Sequence, residues 1–209
     1  FTLENGSAIF HDGETGNINI SDGTISLKDS SIVRGGDYQS EDGKPASGDI
    51  NITGGTIIAD NSEISNNGSG SLNIKNGTVN TVKSELHGKG IEVSGGNITL
   101  NGTDFTNDDL AKSFKLTDGT IVMNGNHSVI GTNHGDGNDV TTGKFEMTGG
   151  KISVNGTGNY IEGGDISVSG GTIDIAQGSV LQAIATLDEN DNPGEVSTLE
   201  LSGNDTKIN

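Results

Sequence analysis

The chain has 209 residues, 35 of them glycine, with two prolines, no cysteine, no tryptophan and a formal charge of 11 − 29 = −18. The absence of cysteine excludes disulfides and thiolate metal sites, and a single arginine in so acidic a chain argues against phosphate or nucleic-acid recognition. An apolar share of 29% with this charge is the composition of a disordered segment, so only a strong periodicity argues for a fold.

Such a periodicity is present from the first residue. A unit of the form apolar-x-apolar-x-x-Gly-x-apolar, with turn residues allowed in place of the Gly, starts at Phe1 (FTLENG), Ile18 (INISDG), Ile50 (INITGG), Leu72 (LNIKNG) and Ile91 (IEVSGG). It continues at Phe114 (FKLTDG), Phe145 (FEMTGG), Ile166 (ISVSGG) and Leu199 (LELSGN). The two apolar residues lie on one face of a strand, because side chains alternate. The Ser or Thr, Asp, Asn or Gly, and Gly that follow suit a tight bend needing positive φ. A second alternating strand comes next, as in Thr24-Ile25-Ser26-Leu27 and Thr172-Ile173-Asp174-Ile175. A corner, often Asn-Gly, then leads to a short third apolar patch at Ile32-Val33, Ile64, Leu86, Phe105, Val129-Ile130, Tyr160-Ile161 and Val180-Leu181.

Three short strands and three corners in about twenty residues describe one coil, which buries its apolar face only by stacking on a neighbour. The expected fold is therefore all-β: a right-handed single-stranded parallel β-helix (β-solenoid) of about nine coils with three short strands per coil, roughly 40 Å long. Handedness follows from the preference of parallel crossovers. The Asn-Gly corners raise a β-hairpin meander as the alternative. Residues 107–112 are compatible with one capped helical turn, and Val180, Leu181, Ile184 and Leu187 with either helix or strand and corner.

The unit spacings are 17, 32, 22, 19, 23, 31, 21 and 33 residues, and the three long ones hold their excess after the third patch. Longer loops are thus expected at 35–49, 131–143 and 183–197, from one edge of a single segment spanning 1–209. Both prolines, Pro45 and Pro193, fall in them, as expected of chain that has left the sheet. Their acids, Asp37, Glu41, Asp42, Asp136, Asp139 and Asp191, are loop-edge binding candidates. Because Phe1 already lies inside a unit, the segment reads as part of something longer.

The units INITGG, IEVSGG and ISVSGG, followed by T-I-x-apolar and an Asn-Gly corner, resemble the passenger domains of bacterial autotransporters, the type V secreted adhesins. The resemblance implies export through the outer membrane by a C-terminal barrel, display at the cell surface, and adhesion to another copy of the chain or to host glycan or matrix. The Gly-Asp-Ser-Gly motif of the protease members does not occur, and Asp29-Ser30-Ser31 lacks its glycines.

Other chemistries are weaker. A polysaccharide lyase or hydrolase needs carboxylates converging from neighbouring coils, whereas the exposed position of the first strand reads Thr2, Asn19, Asn51, Asn73, Glu92, Lys115, Glu146, Ser167 and Glu200. Asp188, Asn190 and Asn192 offer alternating oxygens that fit the start of a calcium loop, though Pro193 stands where the turn glycine belongs; calcium is the candidate cofactor, whereas His11, His87, His127 and His134 lack the spacing of zinc ligands. Thr24, Thr56, Thr78, Thr120 and Thr172 form a column interrupted by Asn97 and Lys151, a candidate binding face or a consequence of strand propensity. The expectation is an adhesive surface segment or a plain structural stalk, and not an enzyme.

Overall fold

The computed structural model describes residues 1–35, 47–107, 112–132, 143–184, 197–204 and 206–209. Among them there is no helix: the chain is all-β, and its 21 strands form one open sheet in which every pairing is parallel. Val180–Ala183 is a strand, so this part of the stretch follows the strand reading, and Leu187 lies outside the described residues. Residues 108–111, on which the expected helical turn falls, lie outside the described residues.

The pairings run in three columns. The first joins Ile18–Ile20, Ile50–Ile52, 72–74, 91–93, 114–116, Lys144–Met147, Asp165–Val168 and Leu199–Leu201. The second joins Thr2–Glu4, Thr24–Lys28, Thr56–Asp60, Thr78–Val82, 97–101, 120–123, Lys151–Val154, Thr172–Ile175 and Lys207–Ile208. The third joins Ala8–His11, Ser31–Arg34, 63–66, 85–88, Asp104–Asn107, Val129–Thr132, Tyr160–Gly163 and Val180–Ala183. The stretch at Phe1 departs from its sequence reading. Thr2 and Leu3 pair with Ser26 and Leu27, so FTLENG stacks on the second strand type and Thr2 does not share a column with Asn19.

The apolar residues of the repeats meet inside. Ile50, Ile52, Leu72, Ile74, Val93, Phe114, Leu116, Phe145, Met147 and Val168 are completely buried. The third patch joins them in one register, Ile32 to Ile64 to Leu86 to Phe105 to Ile130 to Ile161. Phe105 meets Phe114 edge-on with centroids 5.0 Å apart, and Phe114 stacks on Phe145 at 5.4 Å. This aromatic run supplies the large side chains that the composition otherwise lacks.

Two corners fix how neighbouring turns of chain sit. Gly23, Gly55, Gly77, Gly96, Gly119, Gly150 and Gly171 all have φ between 77° and 96°. A Cβ at Gly77 would come within 2.8 Å of the Gly55 carbonyl oxygen, so the column excludes side chains by crowding as well as by φ. Before the third column, a residue with positive φ (Asp29, Asn61, Lys83, Gly102, His127, Gly158) precedes a buried Ser, Thr or Asn. Each backbone N–H there donates to the side-chain oxygen of the next rung: Ser30 to Ser62 (3.2 Å), Ser62 to Ser84 (3.1 Å), Thr103 to Ser128 (3.1 Å) and Ser128 to Asn159 (2.9 Å).

Arg34, the chain's only arginine, is completely buried where the third column ends. Its guanidinium donates to the carbonyl oxygens of His11 (3.1 Å), Gly13 (2.7 Å), Gly16 (3.0 Å), Gly35 (2.9 Å) and Ser47 (2.5 Å). It ties the 12–17 turn to both described ends of the 36–46 segment. Arg34→Met removes these bonds and buries carbonyls without donors, and the expected loss is at least about 3 kcal/mol of unfolding free energy, read from urea denaturation. Phe114→Ala opens a cavity in the aromatic run and is expected to cost a similar amount, about 3–5 kcal/mol.

Candidate functional site

With the inward residues committed to packing, chemistry is left to the outward positions. The five threonines of the sequence reading lie in one in-register column, Thr24 beside Thr56 and Thr56 beside Thr78, continuing through Asn97, Thr120 and Lys151 to Thr172. Thr24 is exposed and the other four are half-buried. At the C-terminal end the face becomes ionic. Lys151 Nζ lies 2.8 Å from Asp174 Oδ2, and hydrogen bonds from Asn209 and then Lys151 hold the Asp174 carboxyl below its ordinary range.

The first column presents a different surface. Asn73 donates to Asn51 and Asn51 to Asn19, each at 3.0 Å, forming an amide ladder. Beyond it, Glu92, Lys115 and Glu146 stand in register, with Lys115 Nζ 3.3 Å from Glu146 Oε2. Carboxylates here alternate with a lysine and do not converge.

Convergence occurs in the third column. Glu63, Glu85 and Asp104 open successive rungs directly beside one another, which sets neighbouring backbones about 4.8 Å apart. Two residues further along each strand, on the same face, come Ser65, His87 and Thr106. His87 Nε2 lies 3.1 Å from Glu63 Oε1. Packing around the Asp104 carboxyl, and then the charge of Glu85, raise its pKa above the ordinary 3.8, while a hydrogen bond from the Val129 backbone opposes the rise. A cleft of about 320 Å³ borders this column, lined by Asp29, Ser31, Asn61, Glu63, Lys83 and Glu85 among others. The sequence signal was an acid immediately before the single apolar residue of the third patch: Glu63-Ile64, Glu85-Leu86, Asp104-Phe105. These acids occupy the outward position of the third strand, not of the first.

Asp37, Glu41, Asp42, Asp136, Asp139 and Asp191, and the calcium candidates Asp188, Asn190 and Asn192, lie outside the described residues. The segments that carry them leave the ends of third-column strands, after Arg34, Thr132 and Ala183. Among the described residues no group of three or more His, Asp or Glu side chains is placed to hold a metal ion, and no helix is long and apolar enough to cross a membrane. Comparison with protein families, with curated proteins and with solved structures finds no match.

The acidic column has a definite pH signature. A carboxyl whose folded pKa is raised favours the folded state when protonated. Its penalty is absent below the unfolded value and develops as pH rises through the folded one. Glu85→Gln removes the like charge between Glu63 and Asp104. It is expected to raise stability at pH 7 by roughly 0.5 kcal/mol in thermal or urea unfolding, and the part of the gain that comes from relieving Asp104 should vanish as pH falls through the raised Asp104 value and that carboxyl takes up its proton.

Proposed function

We propose that the chain is a segment of a right-handed single-stranded parallel β-helix of three strands per coil, serving as the rigid passenger rod of a bacterial surface adhesin. Displayed at the cell surface, it meets another copy of itself, host glycan or matrix protein through a side face or the loop-bearing edge. The observation that supports this reading best is the division of labour between residues. The repeated apolar pairs are spent on a continuous core, and outward polar positions recur in straight columns. A periodic, laterally accessible surface of this kind suits many weak contacts made in parallel, whose avidity rises with copy number.

A second reading rests on the Glu63, Glu85 and Asp104 column. Retaining glycosidases place two carboxyl groups about 5–5.5 Å apart, close to the spacing between adjacent rungs. The raised pKa of Asp104, to which the charge of Glu85 contributes, suits a proton-donating acid. On this reading the protein cleaves a polysaccharide lying across the rungs.

One experiment separates the two. Microspheres coated with the chain are expected to cluster, or to retain matrix proteins or glycans, and to release no reducing ends from a polysaccharide panel. Inert beads together with reducing-end release that Glu85→Gln abolishes would replace the adhesive reading by the enzymatic one.

A further inference from the structure

Charge is distributed unevenly among the three outward surfaces. Beyond its three uncharged asparagine rungs the first column carries Glu92, Glu146 and Glu200, offset at one rung by Lys115, and the third carries Glu63, Glu85 and Asp104. The central outward positions of the second column differ. From Thr24 to Val122 they hold hydroxyls, amides and two aliphatic side chains, all in register and none charged. Ser26 and Asn80 flank the outward Ile58 on the adjacent rungs and Thr56 precedes it on its own strand; Ile58 is 45% exposed. Charges border this face without entering it: Lys28 and Asp60 at one side, Asp22 and Lys75 at the corner on the other.

We propose that this uncharged face is where a second copy of the chain docks, side by side. Three observations favour that occupant. With a formal charge of −18, two copies repel one another over most of their surface, and this stretch is where approach is least opposed. The rungs of both copies repeat at the same spacing of about 4.8 Å, so a Thr or Asn facing its counterpart on one rung has the same partner geometry on the next. Ile58 supplies an exposed apolar centre, the usual anchor of an interface within a polar rim.

Size sets the strength. Five rungs by two outward positions cover on the order of 300 Å² per copy, well under the roughly 800 Å² that each partner buries in a stable complex. The contact is therefore weak between free chains and becomes effective where many copies share a surface. In that respect it rests on the surface-display reading. The salt response is distinctive. Raising ionic strength screens the net repulsion while leaving neutral contacts intact, so association strengthens with salt, whereas a contact made by ion pairs weakens.

The test is sedimentation equilibrium of the chain over a wide concentration range at about 0.05 M and about 0.5 M salt. The expected result is reversible association that increases with salt. It should weaken at least about tenfold in Ile58→Glu/Thr78→Glu, a loss equivalent to about 1.4 kcal/mol, and be unchanged in Gln177→Glu, which adds charge on an exposed turn elsewhere. Far-UV circular dichroism checks folding, and the near-isosteric Asn80→Asp should shift association in the same direction with less perturbation. A monomer at both salt concentrations, association that salt weakens, or association untouched by the face variants would each overturn the proposal. A monomer whose coated beads still retain glycan or matrix removes this interface and leaves the adhesive reading standing. A salt-strengthened dimer with beads that retain nothing does the reverse.

Discussion

The structure depends on the bond between a backbone N–H at one corner and a side-chain oxygen on the next rung. The residue before the third column turns the chain with positive φ, which leaves the following N–H pointing along the stack. Buried and unpaired, that group would cost about 1–3 kcal/mol. Ser62, Ser84, Thr103, Ser128 and Asn159 each offer an oxygen to the rung beside them. Because the bond forms only when corner stands over corner, it fixes the register of the strands on both sides. A slip of one residue would also exchange inward and outward side chains along a strand. The outward columns of threonine, asparagine and carboxylate are consequences of this locking.

Those columns determine what the molecule is able to do. Apolar side chains are scarce in the sequence, and Phe105, Phe114 and Phe145 concentrate bulk at the middle of the core. Among the described residues the exposed large apolar side chains other than Ile58 and Val82 lie on the first and last rungs: Phe1, Phe10, Val180, Leu199, Leu201 and Ile208. Recognition must therefore come from polar groups repeated at the rung spacing or from local clusters of charge. The second column offers the first kind of surface and the third column the second kind. Arg34 contributes in another way, since its five carbonyl contacts hold the described ends of a long segment against the end of the third column.

Much of the packing was legible in the sequence, because period-two alternation and a glycine at constant offset leave few arrangements. The Thr24, Thr56, Thr78 column and the Ile32, Ile64, Leu86, Phe105 column follow directly from that counting. Phe1 misled because FTLENG satisfies the pattern of a first strand. Its pairing is decided instead by the corner, where the Gly6 N–H bonds the Asp29 carbonyl oxygen at 2.7 Å. The serine ladder was illegible for a different reason: a lone Ser after Asp29, Asn61 or Lys83 resembles ordinary loop composition until the rungs are stacked. The carboxylates Glu63, Glu85 and Asp104 are 22 and 19 residues apart in sequence, and only the register of three rungs makes them neighbours.

The central claim, in-register parallel stacking of successive repeats, is tested most directly by disulfide cross-linking, for which the cysteine-free chain needs no background correction. Glu92 and Lys115 are exposed partners on adjacent strands of the first column, and Glu146 stands one rung further on. Backbones about 4.8 Å apart lie within the 4.4–6.8 Å span of a disulfide, and backbones two rungs apart lie beyond it. The account predicts rapid intramolecular oxidation of Glu92→Cys/Lys115→Cys and none of Glu92→Cys/Glu146→Cys in the folded chain. Equal yields from the two pairs, or bridging of the second alone, would contradict it.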